Sequence, residues 1–406
     1  MNKTILSILM CSLLSVGCTS KKMTSRTYDS YRGLVMAGYQ GWFNAEGDDA
    51  GRGFYHYKGR DGFKPGSATV DMWPDVSEYE KTYPTEFRMA DGSQARVFSS
   101  YDPSTVDTHF RWMKEYGIDG VFMQRFVGEI KNKSGRHHFD TVLSSAVAAA
   151  KKYDRAICVM YDLSGMKSAD TTVVLSDLNN LATDHHIFDR KRNPAYLYHN
   201  GRPLVAVWGV GFNDGRAYSL DDCAGIISEL KRRGYSVMIG VPTFWRELRE
   251  DTTPDPALHD LIRQCDIVMP WFVARYTPDN FDNFRELIAD DAVWCHNAGL
   301  DYAPLVFPGF SWKNMYGKDT MSIPRLKGKF LQSQIDHSIN SGAQMLYVAM
   351  FDEIDEGTAI FKCASDVPVD SLGTSFLPIE PGLDPDHYLK IVGRASKTLK
   401  KKFRRD

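Results

Sequence analysis

Eight short apolar runs recur along the chain, at residues 34–39, 118–123, 157–161, 204–208, 237–240, 267–270, 305–307 and 345–350. Most are continuously apolar rather than alternating, as parallel strands covered on both faces are. Helical patterns fall between and after them, at 105–116, 141–153, 171–183, 220–233, 279–290, 324–341 and 385–403. A strand-then-helix unit repeated around one core predicts an α/β protein, specifically a (β/α)8 TIM barrel. The competing open, doubly wound sheet loses its support because no Gly-x-Gly-x-x-Gly follows any run. The 406 residues are long for one ordinary domain but suit a barrel with loop insertions, so residues 31–406 are assigned to a single barrel domain. The largest insertion is a long first βα loop containing residues 43–83, rich in Gly, Asp and aromatics. A loop of that length is usually functional, and one that follows a strand lies at the barrel's C-terminal face. Asn200-Gly201 signals a type I′ hairpin feeding the fourth strand.

The net charge of −2 and the lack of a long basic run inside the core sequence argue against a nucleic-acid partner. Lys3 followed by the apolar stretch 5–16 reads as an export signal too short to span a bilayer. It ends in Leu14-Ser15-Val16-Gly17-Cys18, which resembles a bacterial lipobox with Ser15 where Leu is usual. Residues 1–18 are therefore expected to be a lipoprotein signal peptide, Cys18 the lipidated residue and 19–30 a polar tether. The chain is expected to be an exported bacterial lipoprotein of the periplasm, outer membrane or cell surface, touching the membrane only through its lipid, and to be a monomer. Cys158, Cys223, Cys265, Cys295 and Cys363 are odd in number and lack metal-ligand spacing, so neither a disulfide framework nor a metal site is expected, and no cofactor is implied. The pairs His137-His138 and His185-His186 are expected at the surface, since adjacent side chains on a helix do not face the same way.

Catalytic groups of this fold come from strand C-termini and the loops after them. Here those positions combine aromatic rings with hydrogen-bonding groups, in a chain with 8 Trp, 20 Tyr and 22 Phe. Trp208, Trp245, Trp271 and Trp312 all follow strands. A sugar ring presents apolar C–H faces and a rim of hydroxyls, which aromatic platforms and polar side chains respectively satisfy. The eighth run ends in Phe351-Asp352-Glu353-Ile354-Asp355-Glu356-Gly357-Thr358. Glycoside hydrolysis uses two carboxylic groups in different protonation states. One helical turn would bring Glu353 and Glu356 to one side, and Gly357 permits a sharp exit.

That phrase resembles the F-N-E-W-x-E-G-T phrase closing the barrel of glycoside hydrolase family 99, the endo-acting α-mannosidases and α-mannanases, and of its relative family 71. Gly117-Ile118-Asp119-Gly120-Val121 before the second strand and Pro270-Trp271 after the sixth fit more loosely. Asp352 stands where the family has Asn, and Ile354 where it has Trp. These departures bear on substrate, because neighbours of the carboxylates are expected to line the central subsite. The resemblance implies hydrolysis of α-linked, mannan-like glycans with retention through an anhydro-sugar. It implies Glu353 as base toward the sugar's 2-hydroxyl and Glu356 as general acid/base, its pKa raised by burial and by the charges of Asp352 and Asp355. Strand position makes Tyr39, Tyr161 and Trp271 candidates for the central platform, and Gln124, Arg125 and Asp162 candidates for hydroxyl contacts. Two alternatives differ in class. A non-catalytic glycan-binding lipoprotein on a degenerate barrel would need neither glutamate. A metal-dependent hydrolase would use the carboxylates of residues 352–356 as hard ligands and would be chelator-sensitive.

The lipobox reading has a direct consequence. Cys18→Ala should move the protein from the membrane fraction to the soluble one and abolish incorporation of labelled fatty acid. A native protein that never incorporates the label rejects the anchor.

Overall fold

A computed structural model describes residues 27–317 and 320–403. The signal peptide, Cys18 and residues 19–26 of the tether lie outside the described residues.

The apolar runs form parallel strands buried on both faces, apart from the two ends of the fourth. They are Val35–Tyr39, Gly120–Phe126, Ala156–Asp162, Arg202–Trp208, Ser236–Val241, Ile267–Pro270 and Leu346–Val348, neighbours pairing in chain order and the first pairing with the last. The seventh position is filled by two pieces, Asp301–Tyr302 and Leu305–Val306. The first pairs with the sixth strand and the second with the eighth, so one stretch of chain bridges both edges and closes the (β/α)8 barrel. Pro304, with no N–H to give a ladder, occupies the break, and its carbonyl accepts from Tyr347 N at 3.1 Å. The polar Asp301 and this break explain why only residues 305–307 stand out as a strand in the sequence.

Helices cover the strands from outside. Pro103–Tyr116 starts with Pro at its first position and Asp102 as cap, and Leu220–Arg232 starts with a Ser219–Asp222 capping box. Lys133–Tyr153 begins eight residues before the expected start. Gly135 makes that possible, because a Cβ there would lie 2.3 Å from the Glu129 carbonyl oxygen. The helix after the fifth strand, Ala257–Ile262, has six residues, too few for a legible period. Asn200 and Gly201 both have positive φ (49° and 76°) and turn Tyr198–His199 onto the fourth strand as the expected hairpin. The final helix, His387–Phe403, closes the ring from below. Its Lys400 and Ser396 hold Asp119, whose carboxylate also accepts from Val35 N at 2.9 Å. Among the described residues no helix is long and apolar enough to cross a membrane.

The surface assignment of the histidine pairs fails at His138, which is buried. Its Nε2 donates to the Gly41 carbonyl at 2.7 Å and its Nδ1 accepts from Asn44 Nδ2 at 3.1 Å, so it fastens the start of the first loop to a helix. His137 remains exposed. All five described cysteines are free and buried.

The long first loop has its own small aromatic core, in which Trp73 meets Phe376 at 4.8 Å and Phe63 meets Phe87 at 5.0 Å. It contains an antiparallel hairpin, Tyr83–Arg88 with Gln94–Val97. From this base it reaches over the eighth strand. Asp71 N and Met72 N donate to the Ile354 carbonyl at 2.9 and 3.1 Å, and the Asp71 carboxylate accepts from Lys313 N and Asn314 N, both at 2.7 Å.

Candidate active site

Residues 351–358 leave the eighth strand as a tight turn rather than a helix, and Gly357 (φ 64°) gives the sharp exit expected of it. The Glu356 carbonyl accepts from Ser311 N at 2.8 Å, which binds the turn to the loop after the seventh strand. Glu353 and Glu356 both face one cavity of about 370 Å³ at the C-terminal mouth of the barrel.

The four acids of this turn have four different settings. Asp352 is fully buried and accepts from Gln40 N at 2.8 Å and Gly41 N at 2.9 Å, tying the eighth strand to the first. Burial raises its pKa to about 7 against the pull of those amides. Glu353 accepts from Gln40 Nε2 and from the Thr358 hydroxyl (2.6 Å), so both its oxygens are held. Burial, then the charges of Glu356 and Asp355, push its pKa well above the usual carboxylate range, while the two donors pull it back. Asp355 faces His56 Nδ1 at 3.3 Å, and burial followed by the charge of Asp71 lifts it to about 8. Glu356 is half-buried in the cavity wall. Burial and then the Asp355 charge raise its pKa to about 7, and the Trp312 indole N–H, which has no hydrogen-bond partner in the folded chain, acts in the opposite direction. Of the two aspartates expected to raise the general acid, Asp355 does so and Asp352 does not figure. These divergent settings do not converge on a metal, and among the described residues no group of three or more His, Cys, Asp or Glu side chains could hold one.

Gln124, Asp162, Trp208, Trp271 and Trp312 line the cavity as expected. Trp208 and Trp271 meet edge to face at 5.1 Å. Four candidates do not line it. Tyr39 is buried behind the wall, its hydroxyl 2.8 Å from His109 Nδ1. Arg125 is buried among helices, its Nε 2.6 Å from Asp177 and its Nη2 2.8 Å from Asp140. Tyr161 donates to the same Asp177 at 2.9 Å. One physical cause unites these three: successive strand residues point to opposite faces, and it is Gln40, Gln124, Phe126 and Asp162 that turn inward. Trp245 is buried against a helix, with Nε1 3.2 Å from Asp291 and its ring 4.9 Å from Trp294. Nor do the departures at Asp352 and Ile354 line the cavity. The Ile354 side chain is fully buried in the core.

Residues not singled out from sequence complete the site. Trp42 forms a wall, backed by His56 stacked at 3.8 Å and 5° on one side and Phe126 at 4.8 Å on the other. His56 has positive φ (61°), a costly conformation for a non-glycine residue, and burial lowers its pKa to about 3, so it is neutral. The loop around it is latched by Glu129, which holds Arg52 and Tyr55, each at 2.5 Å. Arg216 and Arg275 also line the cavity. Five buried polar atoms of the lining have no partner in the folded chain: Gln40 Oε1, Gln124 Oε1 and the indole nitrogens of Trp42, Trp208 and Trp312. Buried polar atoms are normally paired, so this cavity is built for an occupant rich in hydrogen-bonding groups.

No protein-family model matches the chain. Its fold is that of the GH99 endo-α-mannosidases. A GH99 endo-α-mannosidase from Bacteroides thetaiotaomicron superposes with a TM-score of 0.67 at 15% identity, over 94% of this chain and 100% of that one. A structure of such an enzyme from the same organism with BIS-TRIS-propane gives 0.66 at 16% identity, with the same coverage. A glycoside hydrolase-like protein gives 0.52 at 13% identity, over 80% of this chain and 94% of that one.

The two tryptophans after the fifth and sixth strands should respond oppositely to truncation. Trp245→Ala should cost about 3–5 kcal/mol of stability, as large buried aromatics do, leaving ligand affinity of the folded fraction intact. Trp271→Ala should weaken glycan binding with little change in melting temperature. Calorimetric unfolding and ligand titration on both variants check the assignment, and the reverse pattern overturns it.

Proposed function

We propose that this chain is a retaining glycoside hydrolase acting on α-linked, mannan-like glycans, exported and anchored through Cys18. The observation that carries the reading is the pair of carboxyl groups, Glu353 and Glu356, placed on one turn against one polyhydroxyl-suited cavity with different hydrogen-bonding environments. Two donated hydrogen bonds favour the ionised form of Glu353. Glu356 has only the nearby Trp312 indole N–H pulling the same way, and burial favours its protonated form. Burial raises both carboxyl groups, and Glu353 also feels the charge of Glu356; the two hydrogen bonds donated to Glu353 are what favour placing the pair's proton on Glu356, which suits a base beside an acid.

In the first step Glu353 takes the proton of the sugar's 2-hydroxyl, and that oxygen attacks the anomeric carbon. The bond to the leaving oxygen breaks as that oxygen receives the Glu356 proton, giving a 1,2-anhydro sugar. In the second step Glu356, now a carboxylate, takes a proton from water as the water oxygen attacks the anomeric carbon. The anhydro ring opens, and the 2-oxygen recovers its proton from Glu353. Two inversions give net retention.

Two measurements test this reading. Glu356→Gln should lose roughly 10²–10⁴-fold on a natural glycan and much less on an aryl or fluoride glycoside that departs unprotonated, whereas Glu353→Gln should stay defective on both. Equal small losses on the natural glycan would make the turn a structural feature and favour a glycan-binding protein without catalysis. Rescue of Glu353→Gln rather than Glu356→Gln by the activated substrate would reverse the roles.

The pH profile follows from the sign of the shift. Glu356 has its pKa raised to about 7, so it holds its proton below that value and loses it above. With the wild type on a natural glycan, kcat/KM should fall as pH rises through about 7, and the aryl glycoside should lack that alkaline limb. An alkaline limb that persists unchanged on the aryl glycoside contradicts Glu356 as the acid.

A further inference from the structure

Two arginines line the cavity after strands other than the one that carries the glutamates. In an eight-membered ring the fourth strand stands diametrically opposite the eighth, which carries the glutamates, and the sixth stands two places away. Arg216 follows the fourth strand and Arg275 the sixth, and both line the cavity.

Both guanidinium groups are fixed from behind. Arg275 Nε meets Asp251 at 3.0 Å, and Asp251 is itself held by Thr243 N at 3.1 Å and Phe244 N at 3.2 Å. That uses the inner nitrogen and leaves the two terminal nitrogens of Arg275 without a partner among the described residues. Arg216 is gripped by Asp214 through Nε at 2.8 Å and Nη2 at 2.9 Å, and its guanidinium lies over the rings of Trp208 and Phe212. Its remaining nitrogen, Nη1, has only two long contacts, 3.4 Å to Ser164 Oγ and 3.4 Å to Tyr218 Oη. Beside it the Trp208 indole N–H is buried and unpartnered. This wall thus offers free donors beside two acids that line the same cavity: Asp214 is committed to Arg216, and Asp162, whose pKa burial raises, accepts from Ser164 N at 2.7 Å. A neutral hydroxyl would satisfy one such donor. A carboxylate or sulfate ester, all acceptor and negatively charged, matches the array of fork donors.

Resting on the glycosidase reading above, we infer that the cavity accepts a glycan bearing an anionic substituent, a hexuronic carboxylate or a sulfate ester, held by Arg275 and Arg216 in the loops after the sixth and fourth strands. Holding the anion at the arginines also sets orientation, since the reverse placement would set it against the two glutamates.

The test compares matched neutral, uronate-containing and sulfated α-linked tetrasaccharides. Binding is measured calorimetrically to Glu356→Gln, and hydrolysis is measured with the wild type. Tighter binding of one anionic class than of its neutral counterpart is expected, with a preference that shrinks as NaCl is raised, and the class preferred identifies the substituent. Arg275→Gln should lower the ratio of anionic to neutral affinity roughly 10–100-fold, the size of a lost charge-assisted hydrogen bond. Arg275→Lys, which keeps the charge but not the fork, should fall between. Neutral glycans bound as well as both anionic ones, with ratios unmoved by Arg275→Gln, overturn the inference while leaving the glycosidase intact. Anionic preference without hydrolysis of any member would instead sink the glycosidase and keep the binding site.

Discussion

Four carboxyl groups, those of Asp352, Glu353, Asp355 and Glu356, are packed into one turn past the last barrel strand, three of them with 3% or less of their surface exposed. Ionised carboxylates resist removal from water by several kcal/mol each, even after relaxation. The surroundings of the turn answer that cost one acid at a time. Backbone amides of Gln40 and Gly41 take Asp352, side chains of Gln40 and Thr358 take Glu353, and the neutral His56 ring faces Asp355. Glu356 alone is left to the cavity, and the raised pKa values there express the remainder of the cost as retained protons.

The wall residues follow from that arrangement. His56 faces Asp355 with its backbone in the left-handed region, and the Glu129 latch on Arg52 and Tyr55 ties down the segment around it. The same ring lies flat on Trp42, so the group that faces an acid also fixes an aromatic wall. One loop segment thus serves both the electrostatics of the turn and the shape of the cavity. This is why a strained non-glycine residue sits at the mouth of the barrel rather than at its periphery.

How much of this was legible beforehand depends on the range of the interaction. The strands announced themselves because both faces are buried, and Asn200-Gly201 because a type I′ turn demands two positive φ values. The two glutamates were legible from a short phrase at a strand end. Side-chain direction was not. Tyr39, Arg125 and Tyr161 lie one residue from Gln40, Gln124 and Asp162, and an apolar run buried on both faces carries no alternation from which to read which residue turns inward. Arg125 finds Asp177 and Asp140 on two different helices, a pairing written in no local pattern. Trp245 and His138 belong to the same class, since their partners Asp291 and Gly41 are distant in the chain. His56, Arg216 and Arg275 lie in loops, where spacing has no period to interpret.

The place of the long loop follows from the closure of the ring. The eighth strand has two neighbours, the first and the seventh, so the loops after those strands flank the acidic turn directly. The loop after the seventh supplies Ser311, which donates to the Glu356 carbonyl, and the loop after the first supplies Asp71 and Met72, which donate to the Ile354 carbonyl. Asp71 then joins the two loops to each other through Lys313 N and Asn314 N, completing a backbone frame around both glutamates. A shorter loop after the first strand could supply Gln40 but could not both reach Lys313 and bring His56 to Asp355. The length that marks this insertion in the sequence is therefore the length needed to enclose an acidic turn from the side its own strand leaves open.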